Sequence, residues 1–219
     1  MLFNNQIYGL TKGQYSPTSE EGKVTKSSPF GALDHPFNPI ALAVGAEATF
    51  VARSLDNDRA HLTEVLRQAA AHEGTAFVEI YQNCNVFNDG AFDLLREKAH
   101  GAQRNQIRLR HGEPTTFGED GESCVVALPD GSMAIRATAD TPADRIYVHD
   151  AHHPTPSPAF ALAHLSTGPT QPTAIGVFRD VERPSYGTAM ADQIDQATER
   201  LGKGDLAKLL HSGDVWDVT

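Results

Sequence analysis

The sequence predicts an α/β fold, because a strand, a helix and a second strand follow one another in its first half. Residues 48–52 and 75–81 are short apolar runs, which are typical of buried strands. Between them, residues 58–72 carry apolar side chains at helical spacing, namely Leu62, Val65, Leu66 and Ala69. A helix that connects two strands in this way implies that the strands pair in parallel.

The first residues predict the end of a buried strand followed by a ligand-binding loop. Leu2 and Phe3 fit inward positions of such a strand, and the residues after them are rich in amides, hydroxyls and glycine. Open α/β sheets bind their ligands beyond the carboxyl ends of the strands. Asn5 offers an oxygen ligand, and Gly9 and Gly13 let backbone approach a charged group closely. This chemistry suits a hard cation such as Mg²⁺ together with a diphosphate.

A long loop and a short helix are predicted between this start and the first complete strand. Residues 15–36 are rich in Ser, Thr, Gly, Pro and Lys, which favours an ordered loop or an active-site cover. Asn38 followed by Pro39 is typical of a helix start, and residues 40–44 form a short apolar helix that ends at Gly45.

After about residue 101 the pattern changes to short strands with helices near the end. Strands are predicted at residues 106–110, 124–128, 132–136, 145–149 and 174–178, with a hairpin turn at residues 129–131. Helices are predicted at residues 161–165, 186–201 and 206–210. We therefore expect two domains, an α/β domain in residues 1–100 and an α+β extension in residues 101–219.

Composition narrows the possible functions. Hydrophobic residues make up 40% of the 219 residues and charged residues 21%, as in an ordinary globular protein. A net charge of −10 argues against a general nucleic-acid surface, because phosphates would be repelled. Two cysteines cannot form a disulfide framework, and no apolar run suits a membrane span or a signal peptide. We expect a cytoplasmic protein.

Four segments carry a resemblance to a known family. NNQIYGLTKGQYSPTS, at residues 4–19, resembles the thiamine-diphosphate and Mg²⁺ loop in the beta subunit of 2-oxoacid:ferredoxin oxidoreductases. The similarity is to the branch that often acts on 2-oxoglutarate. SSPFG, HPFNPIALAVGAEATFVAR and EIYQNCNVFNDG follow in the family's order. The resemblance implies that residues 1–100 are the carboxy-terminal half of a thiamine-diphosphate-binding parallel-sheet domain.

The resemblance also implies roles for the residues of the loop. The side-chain oxygen of Asn5 and the backbone carbonyl of Ile7 are expected to bind Mg²⁺. Four residues are expected to lie along the diphosphate: Tyr8, Gly9, Leu10 and Thr11. Lys12 is expected to bind an anionic substrate, because an ammonium can meet a carboxylate as a point charge. Lys23, Lys26 and Arg53 are weaker candidates for the same positive patch.

Cys84 is expected to be the fourth thiolate of a 4Fe-4S cluster, whereas Cys124 lies in an apolar strand and is expected in the core. The family's Gly-Asp-Gly motif, which supplies a third Mg²⁺ ligand, and its first three cluster cysteines are not in this sequence. We therefore expect a carboxy-terminal fragment of a longer subunit, with Met1 as an internal methionine or a true truncation.

The implied reaction is the oxidative decarboxylation of a 2-oxo acid with coenzyme A, which gives acyl-coenzyme A, CO₂ and reduced ferredoxin. The family's alpha subunit and ferredoxin are the expected partners, and the fragment alone is expected to be inactive. Neither nucleic acid nor a membrane is expected as a partner.

Three alternatives remain open. The chain could be a docking module that binds no cofactor. It could be a thiol hydrolase that uses Cys84 with a histidine, although no glycine elbow or matched histidine motif supports this. Finally, His149, Asp150, His152 and His153 are potential metal ligands, but residues so close in a loop rarely converge on one ion.

Overall fold

The computed structural model describes residues 1–97, 102–166, 168–214, 216 and 218. Contacts divide the chain into two compact units, Met1–Glu182 and Arg183–Thr219. The domain boundary expected at residues 100–101 lies outside the described residues, and that division stays a prediction.

The larger unit is built on a five-stranded sheet with helices on both faces, which confirms the α/β class. Its strands are β1 (Leu2–Asn4), β2 (Phe50–Leu55), β3 (Ala76–Tyr81), β4 (Gln106–Leu109) and β8 (Thr173–Asp180). A smaller sheet contains β5 (Thr116–Phe117), β6 (Ser123–Ala127) and β7 (Met133–Ala137). The helices of this unit are α1 (Pro39–Gly45), α2 (Arg59–Ala71), α3 (Asp93–Arg96), α4 (Ala102–Asn105) and α5 (Ser157–Ala163).

The strand order in the main sheet is β1-β3-β2-β8-β4. The predicted parallel pairing of β2 and β3 across α2 is confirmed, and β1 is also parallel to β3. Only β8 runs against its neighbour β2, while it is parallel to β4. Since β1 lies at the edge of the sheet, Phe3 is 56% exposed, and its expected burial is not found.

Two apolar layers cover the sheet. On one face, α1 and α5 pack over residues such as Val51 and Ile107, which belong to the largest core cluster. On the other face, Val65 of α2 packs against Phe50 and Val78. These three helices thus each bury one side against the sheet, as an α/β fold requires.

Local chemistry explains where α1 and β2 begin. The Asn38 side chain accepts a hydrogen bond from Ala41 N at 3.0 Å, so the predicted cap is confirmed. After α1, Glu47 adopts a left-handed φ of 57°, and Ala48 N donates to Ala43 O at 3.0 Å. This backbone conformation and this hydrogen bond end the helix. The strand therefore begins at Phe50, two residues later than predicted.

The predicted hairpin between β6 and β7 is confirmed, with Leu128 N bound to Ser132 O at 2.8 Å. Cys124 is fully buried in β6, as expected. The strand predicted at residues 145–149 is wrong, because this stretch changes its pairing partner. Tyr147 N donates to Val125 O, whereas His149 N donates to Glu113 O, and only isolated bridges form.

The smaller unit contains the two predicted helices, α6 (Tyr186–Leu201) and α7 (Leu206–Leu210). Ser185 caps α6 by accepting a hydrogen bond from Thr188 N at 3.1 Å, and Gly202 ends it with a φ of 81°. Among the described residues, no helix has both the length and the apolar character needed to cross a membrane.

Candidate functional site

The loop after β1 folds back on itself beyond the carboxyl edge of the sheet. We call residues 4–7 the first turn and residues 8–14 the loop tip. Tyr8 N donates to Gln14 O at 2.9 Å, Gly13 N to Tyr8 O at 2.8 Å, and Lys12 N to Gly9 O at 3.1 Å. These bonds give the loop tip a defined backbone conformation.

The first turn contains both expected Mg²⁺ ligands, and it holds the Asn5 side chain against the backbone N–H of Ile7. Ile7 N donates to Asn5 Oδ1 at 3.2 Å, and Asn88 Nδ2 donates to Asn5 O at 2.9 Å. An amide oxygen has two lone pairs, so Asn5 Oδ1 can hold this hydrogen bond and still bind a cation. The donor set therefore fits a hard cation that takes few protein oxygens.

The residues expected along the diphosphate lie at the exposed side of the loop tip. Tyr8 is 52% exposed and Leu10 94% exposed. A Cβ added at Gly9 would meet no heavy atom within 4 Å, so the backbone there is open to a ligand. Thr11 donates from its hydroxyl to the Gln14 side chain.

Packing holds the base of the loop tip against the segment that follows β3. Gly13 has a φ of 97°, and a Cβ added there would lie 2.8 Å from Cδ1 of Phe87. Only glycine combines this φ with such a close approach at no steric cost. The loop tip is thereby placed next to the segment that contains Cys84.

Lys12 occupies a strained position in the loop tip. Its φ of 77° lies in the left-handed region, which costs a non-glycine residue roughly 1–2 kcal/mol. Its side chain is exposed and makes no ion pair among the described residues. Observed strain of this kind is a reason to consider a functional role.

The three weaker candidates for the positive patch have different environments. Lys23 is bound to Glu20 at 2.9 Å and also donates to Asn88 Oδ1. Lys26 is exposed. Arg53 is only 4% exposed and donates from Nε to Glu79 Oε2 at 2.7 Å, so its charge is already paired, and its part in the positive patch stays a prediction.

A buried polar network that we did not predict links the sheet to the loop. Asn4 donates from Nδ2 to Glu79 Oε1 at 2.7 Å, and Glu79 in turn accepts from Arg53. The Arg53 guanidinium lies 4.9 Å from the centre of the Tyr81 ring, and burial raises the pKa of the Tyr81 hydroxyl. Arg53 and Glu79 are register partners in β2 and β3, within otherwise apolar strands. The sequence did contain a sign of this network, because each of the two apolar runs includes one charged residue and the two charges are opposite.

A cavity of about 750 Å³ adjoins this network on the α1 and α5 side of the sheet. Six polar or aromatic residues of the network and the loop contribute to its lining: Asn4, Gln6, Thr18, Arg53, Glu79 and Tyr81. The cavity therefore extends to residues of the first turn.

Cys84 is half-buried just beyond β3, where its carbonyl accepts a hydrogen bond from Asn88 N at 3.0 Å. A 4Fe-4S cluster takes four thiolates. Because Cys124 is enclosed in β6, Cys84 is the single cysteine of this chain that can serve as a ligand. No histidine of the described part is hydrogen-bonded to its sulfur, so the thiol hydrolase alternative has no base in place.

The four residues of the histidine-rich segment have different partners. Nε2 of His149 donates to Val177 O at 2.7 Å, Nδ1 of His152 contacts Asp180 O, and Nδ1 of His153 contacts Thr155 O. Asp150 accepts from His152 N at 3.0 Å. Among the described residues, no group of three or more His, Cys, Asp or Glu side chains is placed to hold a metal ion.

Comparisons with known proteins agree with the fold and the loop. Residues 1–80 match the family described as "Thiamine pyrophosphate enzyme, C-terminal TPP binding domain". The whole chain is 55% identical to the 2-oxoglutarate oxidoreductase subunit KorB of Mycobacterium tuberculosis and covers 58% of that protein. Over 89 residues, or 41% of this chain and 29% of the relative, it is 45% identical to the 2-oxoacid:ferredoxin oxidoreductase subunit beta of Saccharolobus solfataricus.

A solved structure shares the fold. The 2-oxoglutarate:ferredoxin oxidoreductase from Magnetococcus marinus, with 2-oxoglutarate, coenzyme A and succinyl-CoA bound, is similar with a TM-score of 0.64 at 24% identity. The similarity covers 98% of this chain and 57% of that one.

The chain thus has an α/β fold, and its residues 1–80 match a domain that binds thiamine diphosphate. The relatives that it resembles are subunits of 2-oxoglutarate and 2-oxoacid:ferredoxin oxidoreductases. The chain spans a little over half the length of the Mycobacterium tuberculosis relative.

Proposed function

We propose that this chain is the beta-subunit portion of an enzyme that converts 2-oxoglutarate and coenzyme A to succinyl-coenzyme A and CO₂, with two electrons passing to ferredoxin. The observation that carries the proposal is the loop after β1, where the Asn5 side chain is held against Ile7 N and the Lys12 side chain is exposed. Relatives named for 2-oxoglutarate and 2-oxoacid oxidation support it. When bound, thiamine diphosphate would supply the nucleophile and the electron sink.

Asn5 and Ile7 would hold Mg²⁺ through the amide oxygen and the backbone carbonyl. Mg²⁺ prefers oxygen ligands in octahedral geometry and takes several of them from phosphate and water. The first turn supports this role because the Asn5 side chain is already fixed by the hydrogen bond from Ile7 N. The cation in turn would anchor the diphosphate over the residues of the loop tip.

Lys12 would bind the distal carboxylate of 2-oxoglutarate. Its ammonium has three donors and no acceptor, so it cannot bind Mg²⁺ but can meet an anion. On a chain with a net charge of −10, such an anion needs a local positive group. The exposed side chain at the strained position in the loop tip supports this role.

Cys84 would provide one ligand of a 4Fe-4S cluster that carries electrons away from the cofactor. A single cysteine cannot complete the cluster, so the other thiolates must come from elsewhere in the assembled enzyme. The position of the Cys84 segment beside the loop tip, through Phe87 and Gly13, supports transfer over a short distance.

The proposal includes the family's alpha subunit and ferredoxin as partners and the cytoplasm as the location. Reducing compartments keep cysteines free, and both cysteines of this chain are free thiols. Activity is expected in the complex with the alpha subunit, not in this chain alone.

The test is the rate of coenzyme A-dependent ferredoxin reduction by the purified complex, with 2-oxoglutarate or pyruvate as substrate. A charge-assisted hydrogen bond contributes roughly 1.5–3 kcal/mol. Lys12→Ala should therefore lower kcat/KM for 2-oxoglutarate by about tenfold to a hundredfold, and much less for pyruvate. Lys203→Ala, in the exposed segment after α6, serves as the control.

Equal losses for both substrates would reassign Lys12 to the shared 2-oxo carboxylate, the diphosphate or coenzyme A. A complex that binds the alpha subunit but neither thiamine diphosphate nor substrate would support the docking-module alternative and refute the proposed reaction.

A further inference from the structure

Glu79 is a fully buried carboxylate whose two oxygens have different partners. Oε2 accepts from Arg53 Nε at 2.7 Å, and Oε1 accepts from Asn4 Nδ2 at 2.7 Å. Its side chain has 0% exposure. A buried carboxylate that accepts hydrogen bonds from a guanidinium and from an amide is held firmly, and it orients both of these groups.

The partners of Asn4 fix the orientation of its amide. The Glu79 carboxylate accepts hydrogen bonds, so Nδ2 of Asn4 must face it. On the other side, Oδ1 accepts from Gln6 N at 3.1 Å and from Thr18 Oγ1 at 2.7 Å. A flip of the amide would place donor against donor at Gln6 N.

Gln6 needs such support because its backbone is strained. Its φ of 54° is left-handed, and the residue is only 6% exposed. Ser19 Oγ donates to Gln6 O at 2.5 Å, so the peptide groups on both sides of Gln6 are held. This conformation sets the direction of the chain between Asn5 and Ile7.

We propose that Glu79 is a positioning residue for the cation site, because it fixes the Asn4 amide and, through it, the first turn that carries Asn5 and Ile7. The inference rests on the proposed Mg²⁺ role of those two residues. Glu79 does not touch the cation itself. Partners in the outer shell of a metal site typically change metal affinity by roughly tenfold to a hundredfold when they are replaced.

Glu79→Gln tests this role with almost no change in shape. The new amide at position 79 must present its oxygen to Arg53, which leaves its NH₂ group facing Asn4. The Asn4 amide must then flip or lose a bond, and the first turn loosens. We expect the dissociation constant for thiamine diphosphate, titrated calorimetrically into the complex with Mg²⁺, to rise by about tenfold or more.

Exchanging the carboxylate and the amide between positions 79 and 4 should restore the site. In the double variant Glu79→Gln/Asn4→Asp, the new carboxylate at position 4 accepts from position 79, from Gln6 N and from Thr18, and the buried charge is unchanged. Asn4→Asp alone places two carboxylates face to face and should weaken binding. The double variant should bind within about threefold of the wild type, less than one factor of ten.

Val125→Ala is the control for a purely structural effect, because it removes buried volume in β6 without touching the network. It should lower the melting temperature but leave the dissociation constant unchanged. An unchanged dissociation constant in Glu79→Gln, or a double variant as weak as its parents, would overturn the inference.

The proposed function is tested in the same titrations by Asn5→Ala. If Asn5→Ala weakens Mg²⁺-dependent binding while Glu79→Gln does not, the proposed function stands and this inference alone fails. If the wild-type complex shows no Mg²⁺-dependent binding, the proposed function fails, and this inference is overturned with it.

Discussion

The first turn and the loop tip are adjacent in sequence but are held very differently. In the first turn, buried side chains fix the peptide groups of Asn5 and Gln6 from several directions. The loop tip is closed by its own backbone bonds, and the side chains of Tyr8, Leu10 and Lys12 are exposed. The difference indicates that the turn proposed to hold the cation is preorganised by buried side chains, whereas the groups expected at the diphosphate and the substrate stay accessible.

Asn5→Ala should have the largest effect, because it removes a proposed Mg²⁺ ligand from the preorganised turn. We expect a loss of at least about a hundredfold in Mg²⁺-dependent affinity for thiamine diphosphate. Iron and sulfide content should stay unchanged, since the cluster does not depend on this residue. Asn57→Ala truncates the same side chain at an exposed position and should bind normally. Wild-type affinity in Asn5→Ala would place the cation elsewhere.

Cys84→Ala should show the opposite pattern. The variant is expected to lose the 4Fe-4S cluster, or to shift its reduction potential, while the affinity for thiamine diphosphate is retained. Electron paramagnetic resonance of the reduced complex measures the first effect and calorimetry the second. Cys124→Ala is the matched control, because its thiol is buried in β6. Intact iron content and an unchanged spectrum in Cys84→Ala would refute the assignment.

Gly13→Ala should test how firmly the loop tip is anchored. An alanine there is strained at a φ of 97° and must also displace Phe87. Gly112→Ala is the control, since its φ is 78° but no atom lies within 4 Å of an added Cβ. We expect the control to lose roughly 1 kcal/mol of unfolding free energy and Gly13→Ala roughly 1–3 kcal/mol more. Equal losses in urea unfolding would mean that Phe87 does not anchor the loop tip.

Lowering the pH should have the smallest effect. It should reduce the unfolding free energy through buried histidines that lie outside the loop after β1. Burial lowers the pKa of His149, so folding favours the neutral form of this imidazole. Its unfolded form has a pKa of about 6.5, so its stabilising contribution is complete above that pH and declines as the pH falls below it. His61 acts in the same direction, because burial also lowers its pKa.

The unfolding free energy at about pH 7.5 and pH 5.5 measures this effect on either side of the unfolded pKa. His149→Gln should lose less stability on acidification than the wild type, whereas the exposed His211→Gln should match the wild type. An identical pH dependence in all three proteins would contradict the lowered pKa of His149.

Much of the fold could be predicted because its signals are local. The Asn38 cap, the helical spacing in α2 and the turn between β6 and β7 each lie within a few residues. The place of β8 could not be predicted in this way. It pairs antiparallel with β2 through contacts such as Phe50 with Asp180, which are far apart in sequence. No local pattern records such a pairing.

The site was predictable to the extent that it lies in one continuous loop. Asn5, Ile7 and Lys12 come from a single motif, and their roles stay predictions. The ion pair of Arg53 could not be predicted, because its sequence neighbours do not reveal that Glu79 lies beside it on the adjacent strand β3. The network around Asn4 could not be predicted for the same reason, because it depends on side chains from four segments that are separate in sequence.

The most direct test of the central claim is the position of the cation in the assembled complex. Crystals of the complex with thiamine diphosphate, in which Mn²⁺ replaces Mg²⁺, would locate the ion by its anomalous scattering. We predict an ion about 2.0–2.2 Å from both Asn5 Oδ1 and the Ile7 carbonyl oxygen. An ion bound to the diphosphate without contact to either atom would contradict the account.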